Sequence, residues 1–211
     1  RVAVSGGALA AVRETLQSGY IGEGPRVKEF EELFRQAVGA EVAIGMNSCT
    51  SALTIALQMA GVGPGDYVIS TPATCLATNT PILNLGAQPI WADSDPLTGL
   101  ISPDSVRFLL SRESRAYPKA VMCVHSFGYP CDLSALRATC EMYNTPLIED
   151  AASAFGALYD GRPIGFGGDM TCFSFQAIKP LTCGDGGMLL LGGEHLDDRE
   201  KEARLRRWYG L

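Results

Sequence analysis

The segment KAVMCVHSFGYPCDLSALRATCEMYNTPLIED, residues 119–150, decides the fold. Its first seven residues are almost continuously apolar and predict a buried strand at 119–125. TPLIED predicts a second strand at 145–150, and residues 132–143 between the two have the spacing of a helix. Alternation of helices with apolar strands is typical of an α/β fold with a largely parallel, buried sheet.

The same alternation continues on both sides of this segment. Further strands are predicted at 41–46, 66–71, 88–93, 170–175 and 187–191. Further helices are predicted at 51–60, 103–111 and 197–208, with a short helix broken near Pro81. Asp160-Gly161 is a hairpin turn signal. The expected organisation is an N-terminal helical segment, 1–35, followed by a large three-layer α/β/α domain, 36–211.

Composition excludes several classes of protein. Of 211 residues, 46% are hydrophobic and 19% are charged, which excludes disorder, and the net charge of −6 argues against a nucleic-acid partner. Seven cysteines without a C-x-x-C pair predict reduced thiols in a cytosolic protein, and with only two histidines no metal site is expected. No apolar run is long enough to span a membrane, so no membrane partner is expected. No G-x-G-x-x-G follows the first strand, which disfavours a Rossmann-type dehydrogenase.

Ligands of parallel sheets bind beyond the carboxyl ends of the strands. The first strand is followed by NSCTSAL, residues 47–53, a small, hydroxyl-rich turn that opens a helix. A helix N-terminus favours an anion, so Thr50 and Ser51 are candidates for binding a phosphate. The alternative is an ordinary serine N-cap.

Two carboxylates end the strand at 145–150. Glu149 and Asp150 should be buried there, and a buried carboxylate needs a cationic or N–H partner. The alternative interpretation is a cap for the residues that follow. His125, at the end of the preceding strand, is predicted to be structural, and Arg204, Arg206 and Arg207 are predicted to form a solvated helix face.

The segment FSFQAIKPLTCGDGG, residues 173–187, carries one lysine among apolar and small residues. We expect Lys179 to be desolvated, and a desolvated lysine is the better nucleophile that imine chemistry requires. The alternative is a lysine that reaches back to water. Ser174 can point to the same phosphate as Thr50 and Ser51. A phosphate site, a buried Asp and a buried Lys together fit pyridoxal 5′-phosphate.

Nine segments, in this order, carry a resemblance to a known family: GEGPRVKEFEE, SCTSALTIAL, GVGPGDYVIS, TCLATNTPI, GAQPIWADSDPLTG, VHSFGYPCD, IEDAASAFGA, GDMTCFSFQAIKPLTCGDGG and RLRRWYG. From about Gly19 to its end, the chain resembles the DegT/DnrJ/EryC1/StrS family of pyridoxal-phosphate sugar aminotransferases. The resemblance implies the large domain of aminotransferase fold type I, with the family's small C-terminal domain absent from this chain.

The resemblance also implies site residues. Lys179 matches the lysine that forms the aldimine with the cofactor and shuttles protons, and Asp150 matches the partner of the pyridine nitrogen. Thr50, Ser51 and Ser174 match the phosphate contacts. Three cofactor-binding positions depart from the family: Cys49 replaces a glycine, Cys75 a stacked aromatic ring, and Ser153 a Gln or His near the phenolic oxygen.

The implied function is transfer of an amino group from an amino acid, expected to be glutamate, to a nucleotide-linked keto sugar. The family implies a homodimer with shared active sites, in the cytoplasm. Another fold-type-I reaction, such as elimination or dehydration, and a truncated non-catalytic relative are the alternatives. The family's dehydratase branch has a His in place of the lysine, so the presence of Lys179 favours transamination. Retention of both Lys179 and Asp150 argues against a non-catalytic relative.

Overall fold

The computed structural model describes residues 5–112, 117–193 and 196–209, so the first four residues of the predicted N-terminal segment lie outside it. Its helices are α1 Ala8–Ser18, α2 Pro25–Val38, α3 Cys49–Met59, α4 Leu76–Asn84, α5 Pro103–Ser111, α6 Leu133–Met142 and α7 Leu196–Tyr209. Its strands are β1 Val42–Met46, β2 Tyr67–Ser70, β3 Gln88–Trp91, β4 Pro118–Val124, β5 Leu147–Asp150, β6 Leu158–Tyr159, β7 Arg162–Pro163, β8 Met170–Ser174 and β9 Gly187–Leu191.

The elements predicted from sequence are present, and their ends lie within two residues of the prediction. The hairpin turn is confirmed: Asp160 and Gly161 join β6 to β7 with φ angles of 49° and 75°. The predicted break near Pro81 is wrong. Helix α4 continues through Pro81, whose carbonyl accepts a backbone hydrogen bond from Leu85. The ring removes one N–H donor from this short helix, and the buried Thr78, Asn79 and Ile82 hold it against the sheet.

Seven strands form one sheet in the order β1-β9-β8-β5-β4-β2-β3. Five of them, β8, β5, β4, β2 and β3, run parallel, whereas β9 is antiparallel to both of its neighbours. The register pairs Val124 with Asp150 and Asp150 with Cys172, so β4 and β5 end at the same level and β8 continues two residues further, to Ser174. The predicted mostly parallel sheet is confirmed.

Buried apolar side chains cover both faces of the sheet, which makes three layers. One face carries residues of α3, α4 and α7, and the other carries residues of α2, α5 and α6. Strand β8 shows the alternation: Cys172 packs on the first face and Phe173 on the second. Phe34 of α2 lies with its ring centroid 5.2 Å from that of Phe173. Helix α2 therefore packs directly on the core, and the domain boundary at residue 35 stays a prediction.

Candidate active site

Asp150 ends β5 and lies 3% exposed at the carboxyl edge of the sheet. Its Oδ2 accepts a hydrogen bond from the Thr78 hydroxyl at 2.7 Å, and its Oδ1 accepts one from the Ala152 backbone N–H at 3.0 Å. The Cys49 thiol lies 3.9 Å from Oδ1, a weak third donor. All three donors are neutral. Burial raises the pKa of Asp150 above its usual value, although the Thr78 and Ala152 donors oppose this.

The turn before α3 joins the same edge, next to β9. Ser48 is the N-cap of α3: its Oγ accepts from the Ser51 N–H at 3.1 Å and lies 3.0 Å from the Ser51 Oγ. The alternative that this segment forms a serine N-cap is therefore confirmed. A capped helix N-terminus still directs its dipole toward an anion, so the cap is compatible with a phosphate site.

Gly187 brings this turn close to Ser174. In the antiparallel pair of β8 and β9, Gly187 lies opposite Ser174. A Cβ atom at Gly187 would stand 2.4 Å from the Ser48 carbonyl carbon and 2.6 Å from the Cys49 nitrogen. Only glycine permits this approach of β9 to the start of α3.

Lys179 lies in the loop after β8 and reaches the same edge. Its Nζ donates a hydrogen bond to the Ser153 Oγ at 3.2 Å, and Ser153 follows Asp150 by three residues. The expected desolvation of Lys179 is wrong, because the lysine is half-buried. Its apolar neighbours do not enclose it: Ile178 is 82% exposed. The loop runs along the surface here, so the apolar letters around Lys179 do not form a buried shell.

The two cysteine positions that depart from the family differ in environment. Cys49 is buried in the first turn of α3 and faces Asp150. Cys75 is exposed at the N-cap of α4, in the turn that leads to Thr78. All seven cysteines are free thiols in the structure.

Thr78 is the site residue that sequence reasoning missed. It is 2% exposed and makes the shortest hydrogen bond to Asp150, yet the two residues are 72 positions apart. The only available signal was a hydroxyl residue inside TCLATNTPI, which the family pattern included without a role. A partner so distant in sequence is visible only once the strand order is known.

Glu149 points to the other face of the sheet and has charged or polar partners there. The Arg137 Nη2 donates to its Oε1 at 2.8 Å, and the His125 Nε2 lies 3.2 Å from its Oε2. The His125 Nδ1 accepts from the Cys131 backbone N–H, so the proton of the neutral ring lies on Nε2 and points to Glu149. The predictions of a partnered Glu149 and a structural His125 are confirmed.

The prediction of a solvated arginine face on α7 is wrong. The Arg204 Nη2 lies 3.1 Å from the Glu31 Oε2, and the Arg207 Nη1 lies 3.3 Å from the Glu31 Oε1. Glu31 belongs to α2 and is buried, and the Arg207 side chain is 15% exposed. These bonds attach α7 to α2, and the pattern of α7 alone could not show the distant acid.

A cavity of about 690 Å³ lies beside the start of α3. Its wall includes Asn47 and Ser51 from the turn, Gly187 from β9 and Arg207 from α7. Asp150 and Lys179 are not among its lining residues. The cavity therefore adjoins the proposed phosphate turn without being lined by Asp150 or Lys179. Within the described residues, no group of three or more His, Cys, Asp or Glu side chains is arranged to hold a metal ion. No described helix is long and apolar enough to cross a bilayer.

Comparison with known proteins identifies relatives over almost the whole chain. The model of the DegT/DnrJ/EryC1/StrS aminotransferase family matches residues 5–207. The spore coat polysaccharide biosynthesis protein SpsC of Bacillus subtilis (strain 168) is 43% identical over 191 residues, which make up 90% of this chain and 48% of SpsC.

Solved structures give the same result. AtS13 from Actinomadura melliaura is 41% identical, with a TM-score of 0.88 over 100% of this chain and 56% of its own. An aminotransferase from Psychrobacter cryohalolentis is 32% identical, with a TM-score of 0.89 over 99% of this chain and 52% of its own. The chain spans about half the length of these relatives.

Proposed function

The chain belongs to the DegT/DnrJ/EryC1/StrS aminotransferase family, and from that premise we propose that it carries the cofactor-binding half of a pyridoxal 5′-phosphate aminotransferase. Its sheet and layers are those of the fold-type-I large domain. The proposed reaction moves an amino group from an amino acid, glutamate, to a keto sugar carried on a nucleotide. The sugar-nucleotide substrate rests on the family alone.

One observation carries the proposal: a buried carboxylate with neutral donors shares the edge of the sheet with a lysine amine. Asp150 lacks a cationic hydrogen-bond partner among the described residues, and a protonated ring nitrogen is a cation of the right kind. The amine of Lys179 can react with an aldehyde, and the N-terminus of α3 suits a phosphate. The donor set therefore fits the cofactor.

When bound, pyridoxal phosphate supplies an aldehyde that captures amines and a ring that withdraws electrons from the neighbouring carbon. Asp150, when ionised, would hold a proton on the ring nitrogen. The Lys179 amine would hold the cofactor through its aldehyde carbon, with loss of water, and would serve as the group that carries a proton between substrate and cofactor carbons. The N-terminus of α3 would hold the phosphate together with Thr50, Ser51 and Ser174.

The remaining residues orient these groups. Ser153 holds the Lys179 Nζ through the 3.2 Å hydrogen bond and lies where the family contacts the phenolic oxygen. Cys75 would pack against one face of the ring, with less contact area than an aromatic side chain offers. Cys49 stands where the family usually has a glycine, and its thiol contacts the Asp150 carboxylate.

We further propose a cytoplasmic homodimer in which each subunit completes the other's site. Seven free thiols support a reducing compartment. In this proposal residues 36–211 are the cofactor-binding domain. Sedimentation of the protein with and without cofactor tests the assembly.

The test of the cofactor chemistry is borohydride trapping. The protein is incubated with pyridoxal 5′-phosphate, reduced and digested, and the labelled peptide is found by mass spectrometry. We expect a pyridoxyl group on Lys179, no label in Lys179→Arg and full labelling in Lys119→Arg, whose lysine is exposed on β4. Folded protein without label at Lys179 would overturn the proposal.

The test of the reaction uses glutamate labelled with ¹⁵N on its amino group. Appearance of the label in an amino sugar nucleotide supports transamination. A labelled Lys179 without amino transfer, but with loss of a sugar hydroxyl, would establish elimination instead. A labelled Lys179 with no turnover of any sugar nucleotide would establish the non-catalytic relative.

A further inference from the structure

A pair of threonine hydroxyls leads from the rim of the site to the buried Asp150. The Thr74 and Thr78 Oγ1 atoms lie 2.8 Å apart, and the Thr78 Oγ1 lies 2.7 Å from the Asp150 Oδ2. An ionised carboxylate only accepts hydrogen bonds, so Thr78 donates to Asp150 and must accept from Thr74. The chain of donors therefore has one direction, from the half-buried Thr74 to the carboxylate.

The two oxygens of Asp150 are differently occupied. Oδ1 accepts from the Ala152 N–H, and the Cys49 thiol lies 3.9 Å away. Oδ2 accepts from Thr78, which is its hydrogen-bond donor among the described residues. Since a carboxylate oxygen has two lone pairs, Oδ2 can accept one further donor. Oδ1 has the additional thiol contact, so Oδ2 is the oxygen with more room for a further donor, and Thr78 holds it in place.

The charged and titratable groups around Asp150 come from four elements. They are Cys49 of α3, Cys172 of β8, His125 after β4 and Lys179 in the loop after β8. His125 directs both ring nitrogens elsewhere, to Glu149 and to the Cys131 N–H. Lys179 donates to Ser153. Thr78 is thus the side chain that binds Asp150 most closely, and after burial it has the largest effect on the pKa of Asp150, lowering it.

We propose that Thr78 is a positioning residue that keeps Asp150 ionised and presents Oδ2 to the ring nitrogen of the cofactor. This inference rests on the proposed function. Thr78 touches neither cofactor nor substrate in this proposal and acts through Asp150 alone. Thr74 supports it by donating to the Thr78 oxygen, which strengthens the Thr78 donor.

The experiment compares Thr78→Val with Thr78→Ser and Thr80→Val in the protein with cofactor. Valine keeps the shape of threonine and removes the hydroxyl, whereas serine keeps it. Thr80 lies on the same helix, and its hydroxyl donates to the Leu76 carbonyl. By absorbance titration with pyridoxal 5′-phosphate, we expect Thr78→Val to weaken binding about tenfold, since a hydrogen bond to a charged group is lost. Thr78→Ser should restore most of the affinity, and Thr80→Val should match the unchanged protein.

A second measurement needs no cofactor. Infrared difference spectra across pH follow protonation of Asp150, with Asp150→Asn as the blank, and we expect Thr78→Val to titrate at higher pH than the unchanged protein. An unchanged titration and unchanged affinity in folded Thr78→Val would overturn the Thr78 proposal alone. Failure of the unchanged protein to bind the cofactor would instead remove the proposed function. Should Thr78→Val not fold, Thr74→Val tests the same donor chain, with a smaller shift in the same direction expected and no shift contradicting it.

Discussion

Glu149 and Asp150 are consecutive buried carboxylates at the end of β5, on opposite faces of the sheet. Glu149 is paired with Arg137 and receives the His125 N–H. Although its burial alone would raise the pKa of Glu149, these partners lower it below the usual value. Asp150 has only neutral donors, and its pKa is raised. One strand end thus holds a carboxylate whose charge the fold compensates and one whose charge it does not, and we propose that the first acid is structural and the second functional.

The largest effect on stability is expected from removing the Glu149 carboxylate, which has charged and polar partners. Glu149→Ala leaves Arg137 and the fully buried His125 without their acceptor, so we expect the free energy of unfolding to fall by about 3 kcal/mol. Urea unfolding measures it. A loss below about 1 kcal/mol would mean that water replaces the carboxylate. It would contradict the view that Glu149 differs from Asp150 in having its charge compensated by the fold.

A steric change on the same face should have the next largest effect. A Cβ atom at Gly168 would lie 2.7 Å from the Thr171 Oγ1, 2.9 Å from the Glu149 Oε1 and 3.3 Å from the Arg137 Nη2. Gly168→Ala should displace the ion pair and destabilise the protein by about 2 kcal/mol. Gly63→Ala is the matched control, because its nearest atom beyond the chain neighbours is an Asp66 oxygen 4.0 Å away. Equal stability of the two variants would contradict the prediction.

Asp150→Asn tests the other face. Because the folded protein raises the pKa of Asp150, ionisation there opposes folding, so the neutral amide should leave the cofactor-free protein unchanged or stabilise it by up to about 1 kcal/mol. Binding of pyridoxal 5′-phosphate should weaken at least tenfold. Urea unfolding and absorbance titration measure the two effects. A clear loss of cofactor-free stability would show that Asp150 is a structural acid after all.

The pH dependence of these variants has opposite signs. The contribution of Glu149 is present above its unfolded pKa, near 4.5, and is lost as pH falls through the lower folded value. The unfavourable contribution of Asp150 is absent below 3.8 and grows as pH rises through the higher folded value. The free energy of unfolding of Glu149→Gln should therefore approach that of the unchanged protein from below as pH falls. That of Asp150→Asn should approach it from above.

The smallest effect is expected for an ion pair that is exposed to solvent. Arg107 and Asp104 lie 2.6 Å apart on α5, with side chains 59% and 84% exposed. Arg107→Ala should change the free energy of unfolding by less than about 0.5 kcal/mol, because solvent screens exposed charges. A loss similar to that of Glu149→Ala would show that burial does not determine how much the Glu149 ion pair contributes to stability.

The sequence predicted the parts of this site that are local. The alternation of strands and helices predicted the sheet, and the strand ends located Asp150, Lys179 and the turn before α3. It could not predict the partners that come from distant elements: Thr78 for Asp150, or Glu31 for Arg204. It was also wrong about the surroundings of Lys179, since apolar neighbours in a surface loop can face outward, as Ile178 does. The solvent exposure of a side chain depends on tertiary contacts, which its neighbours in the sequence do not reveal.

The antiparallel strand β9 has a consequence for synthesis. In the described chain β1 pairs with β9 alone, so its ladder cannot form until Gly187–Leu191 has been made. About 140 residues separate the two strands, and at ribosomal rates that interval lasts on the order of 10 s. Throughout it the apolar VAIGM segment has no strand to join. The turn that follows β1 therefore gains its close neighbour Gly187 only after residues 187–191 have been synthesised.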